Sequence, residues 1–141
     1  MRLQVNTTLA LYSVIEFAGD PQRHIPAAEI AAKYGVSPHH LAKVLAELAR
    51  AGIVESVRGV GGGYQFCANA RRLTLMDVIQ RFEDFAPPGA QRREAGASTP
   101  VDLALDEVLS EVDQIARATF SSITLATMLQ LIARQPRNTE G

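Results

Sequence analysis

The sequence has a single cysteine, Cys67, and no tryptophan among its 141 residues. One cysteine excludes an intramolecular disulfide framework and is typical of a reducing cytosol, so we expect a cytoplasmic protein. No apolar run reaches the roughly 20 residues that a membrane-spanning helix requires. The apolar stretch Leu9–Ile15 is short, is followed by Glu16 and lacks a cleavage pattern, which indicates a core helix rather than a signal peptide. We therefore expect no membrane partner.

Residue patterns that support catalysis or metal binding are also missing. Serine, histidine and aspartate, or cysteine and histidine, nowhere stand in an order or spacing typical of catalysis. The adjacent acids Glu83 and Asp84 have no base or metal partner nearby in sequence, and we interpret them as a solvated helix end. His39 and His40 diverge by about 100° on a helix and do not readily share one metal ion. The sequence therefore predicts neither an enzyme nor a metal site.

The net charge of −1 conceals an uneven distribution of charged residues. From Lys33 to Arg81 there are seven lysines and arginines against three acids, whereas from Phe85 onward five arginines face seven acids. A basic middle and an acidic C-terminal part favour one surface for a polyanion and another for a different contact.

Apolar spacing predicts three helices in the first part of the chain. The first covers Thr7–Ala18, with Asn6 as its N-cap. The second runs from about Pro26 to Tyr34 and is stopped by Gly35. The third follows Ser37–Pro38 and carries an apolar face with helical spacing: Leu41, Val44, Leu45 and Leu48. Two helices joined by a short turn are the sequence pattern of a helix-turn-helix.

A β-hairpin with a glycine-rich tip is predicted directly after the third helix. Ile53–Val57 alternates between apolar and polar residues and favours a strand. Arg58–Gly63 contains four glycines, and Tyr64–Phe66 alternates again. A hairpin in this position predicts the wing of a winged helix.

The C-terminal part predicts a long helix with one apolar face. Thr74 and Asp77 form a capping-box pattern that opens a fourth helix reaching Phe82. Thr99–Pro100 opens the long helix, whose apolar residues follow in steps of 4, 3, 4, 3 and 4 residues: Val101, Leu105, Val108, Val112, Ile115 and Thr119. These steps are close to the coiled-coil period and predict a contact with a partner helix.

These elements predict a mainly α-helical fold with a small β-hairpin. A winged helix-turn-helix domain is expected at residues 1–85 and a flexible loop at 86–98. A dimerisation helix with a short following helix, Leu125–Ile132, is expected at 99–135, and a tail at 136–141.

The segment from Leu41 to Tyr64 resembles the third helix and wing of the Rrf-two family of bacterial transcription regulators, the IscR/NsrR/RirA/CymR type. Its most specific part is Ser56–Tyr64, which reads Ser-Val-Arg-Gly-Val-Gly-Gly-Gly-Tyr. Met1–Leu3, Leu73–Ile79 and Ser122–Leu125 fit the same family. The resemblance therefore covers nearly the whole chain.

The resemblance implies a homodimer that binds double-stranded DNA. The long helices join the subunits, each third helix enters a major groove, and each wing enters a minor groove. The interface is expected at Leu105, Val108, Val112, Ile115 and Thr119. We expect a sequence-specific regulator, a repressor on a palindromic operator; the resemblance identifies neither the operator nor an effector.

Many members of that family hold an iron-sulfur cluster on three cysteines between the fourth helix and the long helix. Phe85–Val101 contains no cysteine and no histidine, so the analogy is with cluster-free members and no cofactor is expected. Two alternatives stay open. One is a cofactor- or thiol-dependent sensor of redox state, nitric oxide or iron; the other is a dimeric interaction module without DNA binding.

Candidate DNA contacts on the third helix lie beside its apolar face. His39, His40 and Lys43 occupy the first two turns, where recognition helices contact base edges. Ser37 is placed to reach a phosphate while it caps the helix. The alternative for each is a solvated polar residue or a plain cap.

The wing and the residues after it supply the other candidates. Arg58 fits a narrow minor groove, where the negative potential is enhanced, and Gly59 lets the backbone approach phosphates closely. Arg71 and Arg72 are predicted to neutralise phosphates, with simple surface charge as the alternative. Cys67 is interpreted mainly as a small core residue, with redox sensing as the second interpretation.

Overall fold

The computed structural model describes residues 2–83 and 99–137. These ranges form the helices α1 (Val5–Gly19), α2 (Ala27–Tyr34), α3 (Pro38–Arg50), α4 (Leu75–Ile79), α5 (Pro100–Ser122) and α6 (Leu125–Ala133), and the strands β1 (Val54–Val57) and β2 (Gly63–Phe66). The predicted fold class, mainly helical with a β-hairpin, is confirmed. The predicted loop 86–98 and the end of the predicted tail lie outside the described residues.

The helix α1 begins earlier than the sequence pattern indicated. Its N-cap position is held by Gln4 in extended backbone, so the predicted N-cap at Asn6 is wrong, and Asn6 lies in the first turn. Gln4 makes no side-chain cap; its backbone N–H donates to Glu83 Oε1 at 2.6 Å. The interpretation of Glu83 as a solvated helix end is therefore wrong. Because its carboxylate comes from the other end of the domain, no local pattern indicates this contact.

The helix-turn-helix forms as predicted from α2 and α3. Gly35 ends α2 in the left-handed conformation, with φ of 64°, which glycine adopts without strain. Ser37 caps α3, where its hydroxyl accepts the His40 backbone N–H at 3.4 Å, and Pro38 takes the first helical position. The apolar face of α3 is buried at Leu41, Val44, Leu45 and Leu48.

The predicted wing is a two-stranded antiparallel hairpin. Val54 lies opposite Phe66 at its base, and Val57 lies opposite Gly63 near its tip. β2 also pairs on its other side, because Ile25 and Tyr64 exchange two backbone hydrogen bonds of 2.9 Å. The hairpin is therefore fixed to the segment that leads into α2.

Reciprocal capping boxes open α4 and α5, as the sequence predicted. Thr74 and Asp77 bond to each other's backbone N–H groups, and so do Thr99 and Asp102. α4 is shorter than predicted and ends at Ile79; Phe82 lies in the following turn, packed against the core. The prediction that Phe82 lies in the fourth helix is therefore wrong, but Phe82 does pack against the apolar core.

A short backbone bridge attaches the end of α5 to the start of α4. The Leu75 N–H donates to the Ile123 carbonyl, and the Leu125 N–H donates to the Leu73 carbonyl, both at 2.9 Å. Leu125 is fully buried in the same core as α1 and α3. The C-terminal end of α5 is thereby held against α1–α4 and the hairpin, which together are called the head below.

The core of the head is built from large aliphatic and aromatic side chains. The largest fully buried ones include Phe17, Ile30, Leu41, Leu45, Leu48, Ile79 and Leu125. Their burial fixes α3 and the hairpin on one framework. Across residues 2–83 and 99–137, no helix has both the length and the apolarity needed to cross a membrane.

Candidate functional site

The first turns of α3 present a polar flank beside the buried face. Ser37, His39 and Lys43 are exposed. His40 is different: its ring is partly buried, and Nε2 is covered by protein without a hydrogen-bond partner in the described part of the chain. The structure therefore leaves three of the four predicted α3 contacts accessible and turns the His40 ring toward the protein.

The tip of the wing is fully accessible to solvent. Arg58, Gly59, Val60 and Gly61 are all exposed. The Gly62 N–H donates to the Gly59 carbonyl at 3.0 Å, which closes the turn. Arg58 thus stands at the free end of a folded arm, as the sequence predicted.

Arg71 and Arg72 lie in a tight turn between β2 and α4. Asn69 organises this turn, because its side-chain oxygen accepts the Arg71 N–H at 3.0 Å and its carbonyl accepts the Arg72 N–H at 3.0 Å. Both arginines are exposed. The turn carries two positive charges at the base of the wing, where β2 ends.

The basic side chains of the head fall into two groups. Arg23 is paired with Glu29 at 2.5 Å, Lys33 with Glu16 at 2.5 Å, and Arg50 with Glu47 at 3.2 Å. Within residues 2–83 and 99–137, by contrast, the predicted contacts Lys43, Arg58, Arg71 and Arg72 form no salt bridge. Their charges are therefore available to an external anion.

Cys67 is exposed just after β2, so its interpretation as a small core residue is wrong. Its thiol donates to the Gly52 carbonyl at 3.2 Å. Partial burial and the negative charge of Glu55 raise its pKa above the ordinary value. Activation of a thiol requires the opposite, a positive setting that lowers the pKa. The two nearby arginines in sequence do not supply it, and redox sensing by Cys67 stays a prediction without geometric support.

The helix α5 has no buried residue along its 23 positions. The predicted stripe is open: Val101 is 75% exposed, Val108 57%, Val112 58% and Ile115 60%. Leu105 is 49% exposed, and Thr119 is exposed too. Leu109, which the sequence analysis passed over, is also exposed and widens the stripe beside Val108.

The sequence is similar to known transcription regulators over most of its length. Residues 3–131 match the Rrf2 family, described as iron-dependent transcriptional regulators. The HTH-type transcriptional regulator BadM of Rhodopseudomonas palustris is 45% identical over 141 residues, which covers 99% of this chain and 88% of BadM. IscR of Vibrio campbellii is 32% identical over 85 residues, 60% of this chain and 51% of IscR.

Solved structures share the fold at low sequence identity. T. potens IscR superposes with a TM-score of 0.76 at 23% identity, covering 98% of this chain and 94% of that one. CymR of B. subtilis, the global cysteine regulator, gives 0.73 at 22% identity, covering 93% of this chain and 98% of CymR. These likenesses confirm the winged helix fold with its long C-terminal helix.

The donor set of this chain does not fit an iron-sulfur cluster of the three-cysteine kind. Such clusters are held by cysteine thiolates, and Cys67 is the single cysteine of the sequence. In the described ranges, no three histidine, cysteine, aspartate or glutamate side chains come together in a metal-binding group. The cysteine ligands of such a cluster are therefore not present in this sequence.

Proposed function

The chain belongs to the Rrf2 family of transcriptional regulators, and we propose that it binds double-stranded DNA as a homodimer and represses transcription from a palindromic operator. The observation that carries the proposal is that one folded head exposes both a glycine-rich wing bearing Arg58 and a polar flank on the first turns of α3. These two features match the two ways in which a winged helix-turn-helix contacts a duplex.

The polar flank of α3 is the proposed base-reading surface. His39 and Lys43 project from the first two turns, where side chains of a recognition helix reach the major-groove edges of bases. Histidine can donate to or accept from bases, and lysine suits guanine or phosphate. Ser37 at the N-cap is placed to contact a phosphate. The His40 backbone N–H donates to Ser37 Oγ, so the part that His40 plays here is to hold the N-cap of α3 in place.

The wing is the proposed minor-groove contact. A guanidinium is attracted to a narrow minor groove by its enhanced negative potential. Arg58 carries no competing salt bridge inside the described chain, so no internal pair has to be broken before it binds. Gly59 adds no side chain between the backbone and the phosphates.

Phosphate neutralisation supplies the sequence-independent part of the affinity. Lys43, Arg71 and Arg72 are exposed and unpaired among the described residues. Each phosphate contact releases counterions, so binding weakens steeply as salt rises. The chain as a whole has a net charge of −1, so the attraction has to come from exposed basic side chains such as these three rather than from the net charge.

The open stripe of α5 supports the homodimer. Each of its aliphatic side chains contributes about 1.5–3 kcal/mol when fully buried, which a second copy of the same stripe supplies at coiled-coil period. The bridge at Leu75 and Leu125 holds α5 against the head. A dimer built on α5 therefore fixes the distance between two heads, and two-fold symmetry requires a palindromic operator.

Selection of duplexes from a random pool, followed by mobility-shift titration, tests this function. We expect the wild-type chain to select a palindrome. Arg58→Ala is expected to weaken binding by about 1–3 kcal/mol. Lys43→Ala is expected to reduce the slope of log binding constant against log salt concentration by about one. Arg134→Ala, which removes an exposed positive charge at the C-cap of α6, outside the head, is the matched control. Failure of the wild-type chain to enrich any duplex would overturn the proposal.

Repression is tested separately in cells. A dimer bound to an operator that overlaps a promoter blocks RNA polymerase sterically, so repression requires no surface for contact with the polymerase. A reporter placed behind the selected palindrome is expected to fall in expression with the wild-type chain and to recover with Arg58→Ala. Higher expression with the wild-type chain than with the variant would instead assign an activator.

A further inference from the structure

Val60 is the most exposed large hydrophobic residue among those the structure describes, with a relative exposure of 111%. It stands at the apex of the wing, between Gly59 and Gly61. From Arg58 to Gly63 the sequence reads Arg-Gly-Val-Gly-Gly-Gly, so only Arg58 and Val60 carry side chains. Whatever the tip contacts through side chains, it contacts through these two.

The backbone that follows the apex of the wing is closely packed. A Cβ at Gly62 would overlap the Val57 carbonyl oxygen, and one at Gly63 would come within 2.5 Å of the Ile25 carbonyl oxygen. The wing backbone is therefore packed closely against itself and against the segment before α2. Valine is also stiff about χ1, so it loses little rotamer freedom when a surface covers it.

We propose that Val60 is a specificity-determining residue that reads A·T base pairs in the minor groove next to Arg58. This inference rests on the proposed DNA binding and goes further by naming the sequence class under the wing. An isopropyl group has no hydrogen-bonding atom. It covers acceptor atoms on the groove floor at any base pair, and covering a donor as well adds a further cost.

The minor groove provides that distinction at one atom. A·T and T·A pairs present only acceptors there, whereas G·C adds the N2 amino group of guanine. Covering this donor with a valine removes its water without replacing the hydrogen bond, and an unsatisfied polar group is costly. Arg58 favours narrow A·T-rich grooves through charge. Val60 disfavours G·C at the neighbouring base pair, because its isopropyl group would cover the guanine amino group.

Base-pair replacement in the selected duplex tests the role of Val60. Hydroxyl-radical footprints of wild type and Arg58→Ala are compared on the same duplex. The base pairs that lose protection in the variant are taken as those contacted by the wing. Three duplexes then carry A·T, G·C or I·C at these pairs; inosine lacks the N2 amino group. We expect wild-type affinity to fall about tenfold on G·C, the scale of one mismatched pair, and to return on I·C.

Two variants assign the discrimination to Val60. Val60→Ala removes the methyl contacts and is expected to reduce the preference for A·T over G·C to about twofold or less. Val60→Thr keeps the shape and adds a hydroxyl that accepts from the guanine amino group, so it is expected to bind the G·C duplex more tightly than wild type does. Both variants should melt at the wild-type temperature, because the exposed side chain contributes no packing.

The outcomes separate this inference from the proposed function. If both variants discriminate as strongly as wild type, or if I·C binds as poorly as G·C, the reading by Val60 is overturned while DNA binding stands. If the wild-type chain enriches no duplex in the selection, the proposed function fails and the role of Val60 fails with it.

Discussion

The carboxylate of Glu83 accepts a hydrogen bond from the buried hydroxyl of Thr7 at 2.8 Å, across 76 positions of sequence. The same oxygen accepts the Gln4 N–H at 2.6 Å. A negative charge at the start of a helix also interacts favourably with the helix dipole. Glu83 therefore performs for α1 the task that the N-cap side chain performs for α3 and α4, and it ties the end of the head to its beginning.

Removing this carboxylate is expected to destabilise the head. Glu83→Ala should lower the free energy of unfolding by about 1–3 kcal/mol, since it leaves the Thr7 hydroxyl and the Gln4 N–H unpaired. Thr7→Val, which keeps the volume and removes only the hydroxyl, should cost about 1 kcal/mol. Urea denaturation at one fixed protein concentration measures both changes. Glu55→Ala, at an exposed position of β1, is the control. Equal urea midpoints for Glu83→Ala and wild type would show that Glu83 does not stabilise the start of α1.

The cluster of Glu16, Lys33 and Tyr34 predicts an acid-sensitive contribution to stability. Partial burial of Glu16 favours a higher pKa, but hydrogen bonds from Lys33 and Tyr34 and the charge of Lys33 outweigh it and lower the pKa below 4.5. A lowered carboxyl pKa stabilises the fold above the unfolded value and loses this effect as pH falls through the folded value. The loss is therefore expected below about pH 4.5.

Glu16→Gln tests that contribution. The variant should be less stable than wild type at pH 7, and the difference should shrink as the pH falls below 4.5, as followed by urea unfolding. Tyr34→Phe is the companion variant, because its hydroxyl donates to Glu16 and its ring stacks on Tyr12 with centroids 4.7 Å apart. A difference between Glu16→Gln and wild type that stays constant with pH would contradict the assignment.

Cys67 is expected to be a slow nucleophile. Burial and Glu55 raise the pKa of the thiol, so the thiolate fraction at pH 7 is smaller than in an ordinary cysteine. Alkylation by iodoacetamide should be slower than for free cysteine and should accelerate above pH 9. Glu55→Gln should speed the reaction, and Cys67→Ser should leave duplex affinity unchanged. Fast alkylation at pH 7 would restore the redox interpretation.

The apolar stripe of α5 is expected to set the oligomeric state. Val112→Glu places a carboxylate in the middle of the stripe and should raise the dimer dissociation constant by more than about 100-fold, because an unpaired buried charge costs several kcal/mol. Sedimentation equilibrium measures this constant. Glu107→Gln, exposed on another side of the same helix, should not change it. A wild-type chain that sediments at 15.2 kDa at every concentration would exclude the α5 dimer.

Features encoded within a few residues could be predicted from the sequence. Ser37 as a cap and the Thr74–Asp77 box are interactions between positions three apart, and the wing follows from alternation around a glycine run. Contacts between distant segments could not be predicted in this way. The pairing of Ile25 with Tyr64 depends on how the helices pack, and apolar periodicity does not encode it.

The candidate site also combines features encoded locally with features that depend on distant segments. The exposure of Lys43 and Arg58 follows from positions off the apolar face and at a turn. The inward turn of the His40 ring and the raised pKa of Cys67 depend on neighbours from other elements, such as Glu55 on β1. Local patterns therefore predict which of these side chains are exposed, whereas the surroundings of His40 and Cys67 follow only from the packing of distant segments; that these side chains contact DNA stays a prediction.

A hydroxyl-radical footprint of the selected duplex, combined with the mass of the complex, shows whether a symmetric dimer occupies the DNA. We expect two chains per duplex and two protected patches related by two-fold symmetry, with centres about 10 base pairs, or a multiple of one helical turn, apart. A complex with one chain per duplex and a single protected patch would contradict it.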